Sequence, residues 1–224
     1  MSDTLRWRAL CWPVLCEFIA TALLLIAVVG SGIMAERLSG GNMALALLAN
    51  AIATGGALFA LIVSFGPQSG AQMNPVVTAV AALQGEMNWK QALAYATAQG
   101  TGAIVGVWLA HLMFELPMLQ TSQHVRTGLG QWLAEAIATS GLLLTIAGSR
   151  VHGIPVTAAA VASYITGAYW FTASTSFANP AVTVARALSD TFAGIAPEDA
   201  PGFIAAQLAG MLLALPVLAR MRTT

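Results

Sequence analysis

The fold turns on two stretches, Ser69-Gly70-Ala71-Gln72-Met73-Asn74-Pro75-Val76-Val77-Thr78 and Phe177-Ala178-Asn179-Pro180-Ala181-Val182. Each puts Asn-Pro at the head of a short apolar run, Pro75–Leu83 and Pro180–Leu188. Proline suits the first helical position, where its missing N–H is an orphan anyway and its φ is already helical. Each run follows a segment that reads as loop: Gly66-Pro67-Gln68-Ser69-Gly70, expected to break the apolar run before it, and Thr172-Ala173-Ser174-Thr175-Ser176. A short apolar helix inside a loop is explained by a segment that dips halfway into a bilayer and returns. Such a segment is tolerated where it is buried in protein or lines a wet cavity.

The surrounding sequence supplies the bilayer. Of 224 residues, 58% are apolar and 8% charged, with a mean hydropathy of +0.76. An ordinary soluble domain is about one-quarter charged. Apolar runs of about the 20 residues that span a bilayer core cover Pro13–Met34, Met43–Phe65, Ala92–Phe114, Leu129–Gly148, Ile154–Ala173 and Pro201–Ala219. The expected fold is an all-α membrane protein of six transmembrane helices and two re-entrant half-helices. The first run is longer than a signal-peptide core and no small-residue cleavage site follows it, so it reads as a retained span. Formal net charge is zero and no basic run suits nucleic acid. Cys11 and Cys16 are too few for a metal cluster. Placing both termini in the cytoplasm puts Arg6, Arg8, Lys90, Arg150, Arg220 and Arg222 inside and leaves Arg37, Arg126 and Arg186 outside, the asymmetry the positive-inside rule asks for.

The second half of the chain is a divergent copy of the first. Glu17-Phe18-Ile19-Ala20-Thr21 matches Glu135-Ala136-Ile137-Ala138-Thr139, Asn74-Pro75 matches Asn179-Pro180, and Ala98-Gln99 with Gly102 matches Ala206-Gln207 with Gly210. The repeats run over about 13–114 and 129–220 of a single domain, 1–224. Three spans per copy make the copies cross the membrane in opposite senses. Inverted repeats put a solute path at their interface, near the midplane.

The Asn-Pro pair, the six runs and the duplicated glutamates together make the chain resemble the aquaporin and glycerol-facilitator family, the major intrinsic proteins, over essentially its whole length. Two half-helices meeting N-terminus to N-terminus present partial positive charge and unpaired N–H groups at the midplane. Asn74 and Asn179, each capping its own helix through the side-chain oxygen, leave amide hydrogens for a passing hydroxyl compound. Pro75, Val76, Pro180 and Ala181 complete the two motifs, and Val77 is expected to line the pore. Cations and protons are repelled at such a site; aquaporin-type pores are a standard illustration of that exclusion. The resemblance implies that Glu17 and Glu135 accept hydrogen bonds from the re-entrant loops and that Gln99 and Gln207 tether them. A titrating role would be the alternative reading for intramembrane carboxylates. It also implies a homotetramer with one pore per subunit, and the short loops and tails point to a cell (inner) membrane of bacterial type. No cofactor, metal or nucleic-acid partner is expected, and His111, His124 and His152 lack metal-ligand spacing.

Relatives narrow the outer pore at four positions, one an arginine three residues after the second asparagine. Gap-free counting gives Thr54, Gly167, Ser176 and Val182 here, so the arginine is missing. The set contains no aromatic, histidine or charge. It implies a wide constriction that passes glycerol, urea or a metalloid acid such as arsenite, with water. Arg186 falls on the face of Val182, about 6 Å further out, as a vestibule gatekeeper or as a salt-bridge partner of Asp190 or of Glu198 and Asp199. Thr183 stands where the glycerol branch carries aspartate, and Gln72 where histidine is common. Ala168-Tyr169-Trp170-Phe171 reads as an interfacial aromatic belt. The expected function is a passive channel for small uncharged solutes. A water-selective pore and an alternating-access transporter are the alternatives, and nothing outside the repeat scaffold resembles an enzyme active site.

Overall fold

A computed structural model describes residues 3–221, the side chains of 3–10 excepted; the Arg6 and Arg8 side chains and Arg222 lie outside the described residues. The chain forms α1 (Asp3–Leu38), α2 (Met43–Ser69), α3 (Pro75–Leu83), α4 (Trp89–Met113), α5 (Leu129–Ser149), a 3-10 turn (Arg150–His152), α6 (Ile154–Phe171), α7 (Pro180–Arg186) and α8 (Ala200–Met221). Of these, α1, α2, α5 with its 3-10 turn, and α8 are both long and apolar enough to cross a membrane. Exposed Leu23, Ile52, Phe59, Leu133 and Leu212 give the exterior an apolar coat, as a lipid-facing surface requires and a soluble one avoids.

Local chemistry fixes the helix ends. Asn42 caps α2 by accepting from the Leu45 N–H at 3.1 Å, and Asn88 caps α4 by accepting from the Gln91 N–H at 2.9 Å. The segment from Gly66 does not break α2. The helix runs through Pro67, in its last turn, and ends at Gly70, where φ is 94° and the N–H reaches the Gly66 carbonyl at 3.0 Å. A left-handed cap is the usual place for glycine. Helix α3 covers the expected residues. Helix α7 stops at Arg186, short of Leu188, because the amides of 187, 188 and 189 bond three residues back and tighten the chain out of the α-helix.

Within each repeat the first and third long helices pack tightly, α1 on α4 and α5 on α8, while α2 against α6 joins the repeats. Gly102 and Gly210 make the close packing possible at equivalent points. A Cβ at Gly102 would collide with the Phe18 carbonyl, and one at Gly210 with the Ala136 carbonyl. Gly106 does the same against the Ala22 carbonyl. The small-residue stripe of α4 is therefore spent inside the subunit, on α1.

The short helices interlock the halves. Helix α3 lies against α4 of its own repeat and also α8 of the other, and α7 lies against α8 and also α4. Val76, the residue after the first Asn-Pro, is 1% exposed and packs with Leu143, Met211, Ala214 and Leu218 of the second repeat. Ala181, its counterpart, joins the main core.

Candidate solute pathway

The two half-helices meet at their N-termini. Asn74 Oδ1 accepts from the Val76 N–H at 3.0 Å, and Asn179 Oδ1 from the N–H groups of Ala181 at 3.0 Å and Val182 at 3.3 Å. Each asparagine therefore caps its own helix. Each also braces the opposite loop: Asn74 Nδ2 donates to the Ala178 carbonyl at 2.8 Å, and Asn179 Nδ2 to the Met73 carbonyl at 2.7 Å. One amide hydrogen of each is thus used in a cross-link that sequence reasoning did not anticipate, and the second hydrogen remains for the cavity that both residues line.

Backbone strain marks the same loops. Ala71 and Met73 in the first, and Thr175, Ser176 and Ala178 in the second, have φ between 46° and 60°. Such conformations disfavour side chains and persist only where the surroundings over-determine them. Two buried glutamates do that. Glu17 Oε1 accepts from Ser69 Oγ at 2.7 Å and the Gln72 N–H at 2.9 Å; its Oε2 accepts from the Met73 N–H at 2.8 Å and Gln99 Nε2 at 2.7 Å. Glu135 repeats the pattern with Ser174 Oγ at 2.6 Å, the N–H groups of Phe177 and Ala178 at 2.8 Å, and Gln207 Nε2 at 2.7 Å. Gln99 and Gln207 each continue to a threonine at the base of the half-helix, Thr78 at 3.0 Å and Thr183 at 2.9 Å. With all four acceptor directions filled, the carboxylates are built into the scaffold. Thr183 is the symmetry mate of Thr78 and is fully buried.

The symmetry fails in an informative way. Gln72 accepts from Thr78 Oγ1 at 2.6 Å, but its counterpart is Phe177. Tyr95 donates to the Ser69 carbonyl at 3.1 Å, but its counterpart is Phe203. Phe177 and Phe203 meet edge to face with centroids 5.1 Å apart, and the Arg186 guanidinium lies 3.4 Å from the Phe177 ring centroid. Arg126, from the loop before α5, lies 5.3 Å from the same ring and donates to the carbonyls of Gly194, Ser174 and Phe192. Burial pushes its guanidinium below the ordinary range, opposed by Tyr169 and Glu135. Arg126 was missed in the sequence; an arginine in a loop carries no signal of where it folds back.

A cavity of about 380 Å³ runs along the interface of the halves and is lined by Asn74, Asn179, Val77, Thr54, Ser176, Val182 and Arg186, among others. Gly167 does not line it. Helix α6 turns Ile165 and Tyr169 inward instead, while Gly167 is half-buried near Phe171. Tyr169 is therefore not part of an aromatic belt, although its neighbours Trp170 and Phe171 are exposed. Arg186 is 2% exposed and bonds through Nε to the Ala193 carbonyl, not to Asp190, whose carboxylate accepts from the Gln123 N–H. Asp199 is likewise engaged, by the Arg126 N–H. At the other end of the cavity, Arg150 and Glu86 pair at 2.5 Å. His111 is buried between the Met118 carbonyl at 3.0 Å and Ser189 Oγ at 2.9 Å, tying the loop after α4 to the end of α7; His124 and His152 are exposed.

Apolar helices arranged as two interlocked repeats, with capped half-helices meeting nose to nose, make this a multi-pass α-helical membrane protein of aquaporin-like fold. The model of the family described as Major intrinsic protein matches residues 4–168, and the chain belongs to that family. It is 54% identical over 203 residues to the aquaglyceroporin AqpS of Rhizobium meliloti (strain 1021), spanning 90% of this chain and 86% of that protein. It is 34% identical over 142 residues to a probable aquaporin, TIP1-1, of Oryza sativa subsp. japonica, spanning 61% and 56%. Among solved structures, the aquaglyceroporin from Plasmodium falciparum superposes with a TM-score of 0.65 at 21% identity, covering 92% of this chain and 93% of that one; at that identity the likeness is of fold.

Proposed function

We propose that the protein is a passive channel for small uncharged solutes, passing glycerol, urea or a metalloid acid such as arsenite together with water. The observation that carries this reading is the cavity between the repeats, into which the crossed asparagines and both half-helix N-termini face. The sequence relation to a protein named aquaglyceroporin supports the solute class. Two helix N-termini, each worth about half an elementary charge, oppose cations at the point where hydration is stripped, and the amide hydrogens serve a neutral oxygen. The chain acts as one domain with repeats at about 13–114 and 129–220. Its six long helices span the membrane, α3 and α7 re-enter it, and both termini are cytoplasmic. It works as a homotetramer in a cell membrane.

The constriction includes Thr54, Ser176 and Val182 on the outer side of the asparagines. Arg186, one turn beyond Val182 and without a carboxylate partner at Asp190, acts as the vestibule gatekeeper. In liposomes containing the purified protein, glycerol, urea and arsenite should enter well above the protein-free rate, alongside water. Water passing alone would overturn the larger-solute reading. Arg186→Ala should change the ratios between solutes; unchanged ratios exclude the gatekeeper.

A further inference from the structure

Gap-free counting assigns the contribution of α6 to Gly167, which would leave one wall of the constriction open. The backbone of α6 is rotated so that Ile165 and Tyr169, one turn apart, face the cavity. Tyr169 is 3% exposed, and its phenol reaches across to α2, donating to Thr54 Oγ1 at 3.3 Å. That is long for an O–H···O bond, whose usual length is about 2.7–2.8 Å, so it can be exchanged for a solute hydroxyl at little loss. Ser176 belongs to the same lining, and its Oγ is buried beneath it with no hydrogen-bond partner within the protein. Buried hydroxyls without partners are uncommon and need a reason.

We propose that Tyr169 is the fourth wall of the outer constriction and, with Thr54 and Ser176, its hydrogen-bonding edge, taking over the task that Val182 cannot perform. The assignment rests on the channel reading above. A hydroxyl both donates and accepts, so three of them satisfy a neutral solute rich in hydroxyl or amide groups in either sense. Val182 and Ile165, which also line the cavity, offer apolar surface to the carbon skeleton of the same solute. The site therefore selects small polyols and urea-like molecules. Its upper size limit is set by the phenol ring, since the glycine at 167 does not reach the lumen.

The test uses the full chain in liposomes, comparing Tyr169→Phe, Tyr169→Ala and Thr54→Val with the parent for water, glycerol, urea, erythritol and xylitol. Tyr169→Phe and Thr54→Val should lower glycerol relative to water by about two- to tenfold, the effect of one net hydrogen bond. Tyr169→Ala should admit the longer polyols. Glycerol-to-water ratios equal to the parent's in both hydroxyl-deleting variants, in protein of unchanged melting temperature, would overturn the assignment. The two hydroxyl deletions decide the matter even if Tyr169→Ala fails to fold. A parent protein that passes no neutral solute would overturn the channel reading and this assignment with it; a conducting parent with unaltered ratios overturns this assignment alone.

Discussion

Each buried glutamate holds two consecutive backbone N–H groups of a strained loop, and the carboxylate is well suited because it only accepts. At Glu135 the partners are two backbone N–H groups, a serine hydroxyl and a glutamine amide, all donating. Glu135→Gln keeps the shape but turns an NH2 toward donors, so one side of the site is left unsatisfied. The expected loss is about 1–3 kcal/mol of stability, read as a lower melting temperature in detergent. Flux of every solute should fall together because the loop carrying Ser176 and Asn179 loosens. A variant that melts like the parent and conducts like it would remove the scaffold role. The glutamates, the glutamines and the Asn-Pro pairs were legible in the sequence because duplication made each pair its own control. Tyr169 was not. Counting along a chain identifies a residue, but which side of α6 faces the lumen depends on its rotation against α2, and Gly167 and Tyr169 differ by two residues, roughly opposite faces of a helix.

Elements here are positioned by backbone contact more than by side-chain volume. Helix α8 reaches α5 at Gly210, where a Cβ would run into the Ala136 carbonyl, and α4 reaches α1 the same way at Gly102. Gly210→Leu should force the helices apart at a cost of about 1–3 kcal/mol or more, and since α3 and α7 both rest on α8, conduction should fall with stability. An unchanged melting temperature in that variant would mean that the close approach is not required. The sequence showed these glycines but not their partners; a small residue permits contact without saying with what. It also showed that the second apolar run ends before Asn74, while placing the end too early. Gly66 and Pro67 resemble a break, yet a proline in a last turn is compatible with a helix that is ended by a left-handed glycine just beyond.

The molecule as a whole is two halves with matching hydrogen-bond patterns, locked by exchange of their short helices. The asparagines bond across the exchange, so neither half-helix is held by its own repeat alone. Such an arrangement favours one rigid state, and the buried carboxylates Glu17 and Glu135 are fully engaged in holding the two loops. Alternating access would need one repeat to rock against the other, which would sever the asparagine cross-links on every cycle. The protein is therefore expected to hold a standing pore, and the decisive measurement is the concentration dependence of glycerol entry into protein-containing liposomes with no ion gradient imposed. A rate that rises linearly with concentration and is indifferent to added sodium or proton gradients is the predicted result. Saturation at modest concentration, or flux that appears only with a gradient, would exclude a standing pore and identify a transporter instead.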